Sequence, residues 1–189
     1  MKRTAVFLLG LCLALPARAA TLAGVTLPDS YPIAGQTLVL NGMGLRTVTF
    51  LGVKAYVAGL YLPQRSTDAG AILASPGTKI LLMQFLHSAS KSQVEAQYRE
   101  GEKKNCGHGE CNPADEADFN RLIAVTPAAE VGDTLTYFYG PKGVRVLFNN
   151  RQIADFANAD LSRQLLAGFI GAAPPSEDLK QHLLGLKTN

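Results

Sequence analysis

Residues 40–62 read LNGMGLRTVTFLGVKAYVAGLYL, and the parsing of this stretch decides the fold. From Thr47 to Leu62 it is rich in Val, Phe, Tyr and Leu and broken at Gly52, the pattern of a hairpin or a long bent strand pair. Before that come Gly42, Gly44 and then an arginine, Arg46, leading straight into the apolar run. A guanidinium drawn into such surroundings is costly unless an anion or a hydrogen-bonding group meets it. Arg46 therefore needs a partner. Two are available: carbonyls of the chain beside the glycines, where backbones approach closely, or the acid group of a ligand.

Outward from this stretch the strands continue. Residues 24–40 read as short strands punctuated by Pro28, Pro32 and Gly35, with GQTLVLNG as a strand closing at Gly42. KILLMQFL, residues 79–86, is an unbroken apolar run of strand length, expected as a central strand buried on both faces. At Ser90 the pattern changes to helix formers, and Ser92 with Glu95 has capping-box spacing. A helix here places Val94, Tyr98 and Asn105 on one face. A second helix is expected over Asp115 to Val125, stopped by Pro127. DTLTYFYG and GVRVLFNN then form a hairpin through Pro141-Lys142-Gly143, a short strand follows around Ile153, and two helices close the chain. Strands and helices in blocks argue an α+β fold with a largely antiparallel sheet.

The start of the chain has the three parts of a secretory signal. Lys2 and Arg3 are followed by an apolar stretch from Ala5 to Leu15 and by the small-x-small sequence Ala17-Arg18-Ala19. The expectation is cleavage after Ala19, a single domain over residues 20–189, and a periplasmic or secreted location. Without residues 1–19 the 15 acidic side chains are matched by 15 basic ones, so the formal charge of +3 falls to zero. No basic excess recommends nucleic acid or an anionic membrane as a partner, and no later stretch is long and apolar enough for a membrane span.

Cys106 and Cys111, in NCGHGEC, are expected to pair in an oxidising compartment; free thiols or a metal site with His108 are the alternatives. His87 is available as a general base but has no acid partner at a useful spacing, and His182 is expected to be solvated on the last helix. There is no phosphate loop, metal-ligand series or Ser-His-Asp arrangement, and no cofactor or metal is expected.

The ordered series NGMGLR, AYVAGLYL, QYREGEKKNC, GDTLTYFYGPKGVRVLF and LLAGFIGAAPPSEDLKQHLLG resembles the chalcone isomerase family, above all its exported bacterial branch. The resemblance implies an open-faced β-sandwich, a large antiparallel sheet covered on one side by helices, with a ligand cleft between the two layers. In the plant enzymes that cleft cyclises a chalcone to a flavanone, the protein supplying shape and donors for a developing enolate rather than a nucleophile. Carried over, Arg46 falls on the family's arginine that contacts the anionic oxygen of the substrate. Tyr98 and Asn105 fall on its active-site tyrosine and asparagine. Two threonine positions instead hold Tyr56 and Gly168.

Loss of those hydroxyls disfavours efficient cyclisation, whereas Arg46 with Tyr56 resembles the carboxylate clamp of the family's fatty-acid-binding branch. The expected ligand is an amphipathic carboxylate bound without turnover by Arg46, Tyr56, Tyr98 and Asn105. The alternatives are an isomerase acting on a phenolic enone, with Arg46, Tyr98 and Asn105 as its working residues, and a module that binds another envelope protein. Structural roles stay open for each residue: a strand-edge phenol for Tyr56, a core phenol for Tyr98, a helix cap for Asn105.

Overall fold

The computed structural model describes residues 19–48, 51–109 and 111–188. The expected signal segment lies outside the described residues apart from Ala19, which opens β1.

Two tight turns organise the first third. Strands β1 (Ala19–Leu22) and β2 (Val25–Pro28) are joined through Ala23-Gly24, and β3 (Ser30–Ile33) and β4 (Gln36–Val48) through Ala34-Gly35. Both residues of each pair have positive φ, the turn whose twist matches that of the flanking strands. β4 pairs with β5 (Val53–Leu62), and the sheet continues antiparallel through β6 (Lys79–Phe85), β7 (Thr134–Gly140), β8 (Gly143–Phe148) and β9 (Arg151–Phe156). The order β3-β4-β5-β6-β7-β8-β9 puts β6 at the centre, as its continuous apolar run implies.

β4 does not close at Gly42 but runs on to Val48, because a bulge at Asn41 adds one residue and changes the phase of the alternation. Leu38 and Leu40 before the bulge then share a face with Met43 and Leu45 after it, packed with Val57, Tyr61 and the β1–β2 hairpin. The opposite face of β4 presents Gly42, Gly44 and Arg46. Asn41 fixes the bulge: its amide donates to the carbonyls of Ser66 and Leu183 at 2.9 and 2.8 Å, and its oxygen accepts from the Ser66 amide at 2.8 Å.

The helices lie on the glycine face. They are α1 (Ala69–Ala74), α2 (Lys91–Gly107), α3 (Glu116–Val125, after a 3-10 turn at Pro113–Asp115), α4 (Ala159–Ile170) and α5 (Glu177–Leu183). The short α1 was not expected from sequence. The cap of α2 is Ser90 with Gln93, each side chain bonding the other's backbone, so the helix begins two residues before the expected Ser92 and Glu95 pair. The Lys91 ammonium donates to the carbonyls of Ile123, Ala124 and Thr126, binding the start of α2 to the end of α3. A disulfide joins Cys106 and Cys111 across the loop that leaves α2. No helix among the described residues is long and apolar enough to cross a membrane.

α5 lies directly on β4 because the two glycines leave room for it. A Cβ at Gly42 would meet the His182 carbonyl oxygen at 1.9 Å, and one at Gly44 would meet His182 Cβ and Leu179 Cδ1 at 2.9 Å. His182 is consequently not solvated as expected: its side chain is 14% exposed, held over Gly44 with Nδ1 at 2.9 Å from the Asp178 carbonyl. Gly42→Ala is expected to lower unfolding free energy by about 3 kcal/mol or more, since the obstacle is backbone that cannot rotate away. Gly101→Ala, in mid-α2 with nothing within 4 Å of its Cβ position, should be neutral or gain up to about 1 kcal/mol. Urea midpoints of the two variants against wild type check both expectations.

Candidate functional site

Between the sheet and helices α2, α3 and α4 lies a cleft of about 460 Å³, a volume in the ordinary range for small-molecule sites. Met83, Phe85 and Leu135 form the sheet side of its apolar wall, and Phe119, Leu165 and Phe169 the helix side. Arg46, Tyr56, Tyr98 and Asn105 all line this one cleft, although they come from three separate elements.

Arg46 and Tyr56 are direct cross-strand partners in the β4–β5 ladder and so point to the same face. This register answers which way Tyr56 faces: its ring meets Phe85 edge-on, centroids 6.1 Å apart, on the helix side. Arg46 Nη1 donates to the Thr47 carbonyl at 2.7 Å, so part of the guanidinium is held by backbone. Its Nε is buried with no hydrogen-bond partner, and Arg46 forms no salt bridge among the described residues. A buried cationic donor left unpaired in this way carries a desolvation cost, and the guanidinium as a whole lines the cleft with Glu100 near enough that its carboxyl, lowered first by its hydrogen bond to Lys104, is lowered in part by Arg46.

Tyr98 reaches from α2 to the sheet and shares a short hydrogen bond with the Tyr137 hydroxyl. Tyr137 in turn stacks on Tyr139, with centroids 5.8 Å apart, and Tyr98 meets Phe119 edge-on. Burial pushes the Tyr56 phenol up to about 12, with nearby Arg46 pulling it down and Tyr98 pushing it up. Tyr98 is raised by burial, moderated by its hydrogen bonds, while Tyr137 and Tyr139 are raised well above the usual tyrosine value by burial. These phenols are neutral donors at any physiological pH and supply no general base.

Asn105 is not a cap; the C-cap of α2 is His108. Its amide nitrogen donates to the Gly101 carbonyl at 2.7 Å and lies 3.5 Å from that of Ala173, while its oxygen is buried and unpaired. His87 is exposed at the mouth of the cleft, with no side-chain partner among the described residues. Both sulfurs of Cys106 and Cys111 are taken up in the disulfide, which removes them as thiolate ligands beside His108. Gly168, at one of the two threonine positions, also lines the cleft without contributing a polar group.

Two lining residues escaped the sequence reading. Tyr137 sits in a strand where aromatic residues need no functional reason. Gln164 leaves a signal: it is a polar residue one turn before Gly168 on the apolar face that also carries Leu161 and Leu165.

The family model for chalcone isomerase-like proteins matches residues 19–185. The chain belongs to the chalcone isomerase-like family. Among solved structures, this chalcone isomerase-like chain is similar to a fatty-acid binding protein from Arabidopsis thaliana, at 14% identity and a TM-score of 0.71. The similarity covers 88% of the present chain and 96% of the plant protein, and at that identity it shows the shared fold. No curated protein matches the sequence.

The tyrosines give a pH expectation. Tyr56, Tyr61, Tyr98, Tyr137 and Tyr139 all have folded-state values above the ordinary 10.0 of the unfolded chain. The stability they contribute is therefore complete below pH 10 and is lost as pH rises through the folded values, near 12 for Tyr56. Tyrosinate difference absorbance should lag behind that of the urea-unfolded chain, and Arg46→Ala should move Tyr56 still higher.

Proposed function

We propose that this protein binds an amphipathic carboxylate, of the fatty-acid type, in the cleft between sheet and helices and does not transform it. The observation that carries the reading is the unpaired Arg46 Nε beside the Tyr56 phenol in a cleft that also has the apolar wall of Met83, Phe85, Phe119, Leu135, Leu165 and Phe169. A planar carboxylate fits a guanidinium, and a neutral phenol adds a second donor. The fatty-acid binding protein that shares the fold supports this choice of ligand class. The proposal includes export: the basic, apolar and small-residue succession of residues 1–19 would deliver the chain, with its Cys106–Cys111 disulfide, to an oxidising compartment.

A second reading, cyclisation of a phenolic enone, is favoured by one observation, that Arg46, Tyr98 and Asn105 line the same cleft. Gly168 weighs against it. A missing oxyanion donor costs about 2.7–4 kcal/mol in the transition state, and Gly168 has no hydroxyl to give.

The test is mass spectrometry of small molecules extracted from purified protein and from its Arg46→Ala variant. The expected result is a carboxylate at near-stoichiometric occupancy in wild type and its loss from the variant, with affinity reduced about 10- to 100-fold. An empty wild type together with catalytic loss of chalcone absorbance would replace the carrier reading by the isomerase reading.

A further inference from the structure

Among the described residues four large apolar side chains are exposed, Leu51, Val125, Val131 and Leu186. Three of them gather at one end of the molecule. Leu51 is in the turn between β4 and β5, Val125 ends α3, and Val131 is in the loop between α3 and β7. All three lie beside the segment that follows β6. The Leu86 amide donates to the Ala55 carbonyl at 2.8 Å, four residues past Leu51, and the Gly132 amide donates to the Phe85 carbonyl at 2.9 Å, next to Val131. The Lys91 ammonium holds the carbonyls on either side of Val125. His87, Ser88 and Ala89 in this segment line the cleft, so the exposed apolar side chains stand around its mouth. Leu186 follows α5 near the Asn41 bulge, toward the far end of the β4–β5 pair.

The rim is also poor in charge. The loops between β4 and β5, between β6 and α2 and between α3 and β7 read TFLG, LHSAS and TPAAEVGD. They contain no lysine or arginine, and their acidic residues are Glu130 and Asp133. The Asp133 carboxylate is already satisfied, accepting from the Glu130 backbone amide and from the Asn149 side-chain nitrogen, each at 2.7 Å. A surface with apolar tips and almost no charge to desolvate matches a partner that is itself apolar beneath a neutral polar layer. A phospholipid bilayer with zwitterionic headgroups has that chemistry. A strongly anionic bilayer does not match, since the loops offer no cation to it. A folded protein matches less well, because the tips come from separate loops and what lies between them is the cleft opening.

Resting on the carrier reading, we propose that this end of the molecule docks on the surface of a zwitterionic phospholipid bilayer, with Leu51 and Val131 entering the interface and the cleft mouth facing the lipid. These two side chains are the most exposed of the three, at 74% and 67%. An amphipathic carboxylate in a bilayer keeps its chain in the hydrocarbon and its acid among the headgroups. With the rim seated there, the chain passes to the apolar wall of the cleft without crossing water.

The experiment is flotation of delipidated full-length protein with phosphatidylcholine vesicles, for wild type and the double variant Leu51→Glu, Val131→Glu, beside calorimetric titration of each with octadecanoate in the absence of vesicles. Wild type should float with the vesicles at low and high salt alike, and partition of the double variant should fall at least about tenfold. Both proteins carry the same residues 1–19, so the difference between them reports the rim. Neither Leu51 nor Val131 lines the cleft, so the variant should bind octadecanoate as wild type does, which also shows that it folds. Equal partition of the two proteins overturns the docking, as does wild type that joins vesicles only when they carry phosphatidylglycerol and leaves them in salt. A dimer of wild type that the double variant converts to monomer, without vesicle binding, assigns the rim to a second copy and overturns it too. In each of these cases octadecanoate binding leaves the carrier reading intact. Failure of wild type to bind octadecanoate overturns the carrier reading and the docking that rests on it.

Discussion

The contact of α5 with β4 is the constraint on which the rest depends. Asn41 inserts one residue into the strand and ties it to the carbonyls of Ser66 and Leu183, and from there every second position faces the helices. The first two of those positions, Gly42 and Gly44, admit a helix at backbone distance. The third is Arg46, which lies beyond the seat of α5 and turns into the cleft. The glycines and the arginine serve different purposes on one face. The glycines make room for a helix, and the helix and strand together fix where the guanidinium points.

Much of this arrangement is visible in the sequence because it depends on local pattern. The apolar run at β6, the hairpin from Thr134 to Phe148 and the common face of Val94, Tyr98 and Asn105 all follow from periodicity within a few residues. The bulge does not, since Asn41 finds its partners 25 and 142 residues away. The α2 cap was misplaced because Ser90-Gln93 and Ser92-Glu95 have the same spacing, and only the helix start distinguishes them. His182 reads as a surface residue on an amphipathic helix until the missing side chain of Gly44 beneath it is known.

At the site, the ordered motifs named four residues that line the cleft and missed others such as Tyr137 and Gln164, and the electrostatic state of all of them required coordinates. That Arg46 retains a free Nε after bonding Thr47, or that the oxygens of Asn105 and Gln164 remain empty, is a matter of hydrogen-bond accounting in three dimensions. Buried phenols are held in the neutral form, and His87, the one imidazole in the lining, sits exposed at the mouth.

The fastenings at the two ends of α2 bear on how anything gets in. Its first residue grips three carbonyls at the end of α3, and its last turn is stapled by the disulfide. The disulfide ties that turn to the loop that follows it, and Gln164 of α4 donates to Cys111 Sγ, so any route into the cleft has to accommodate a wall tied to α3 at one end and to α4 at the other.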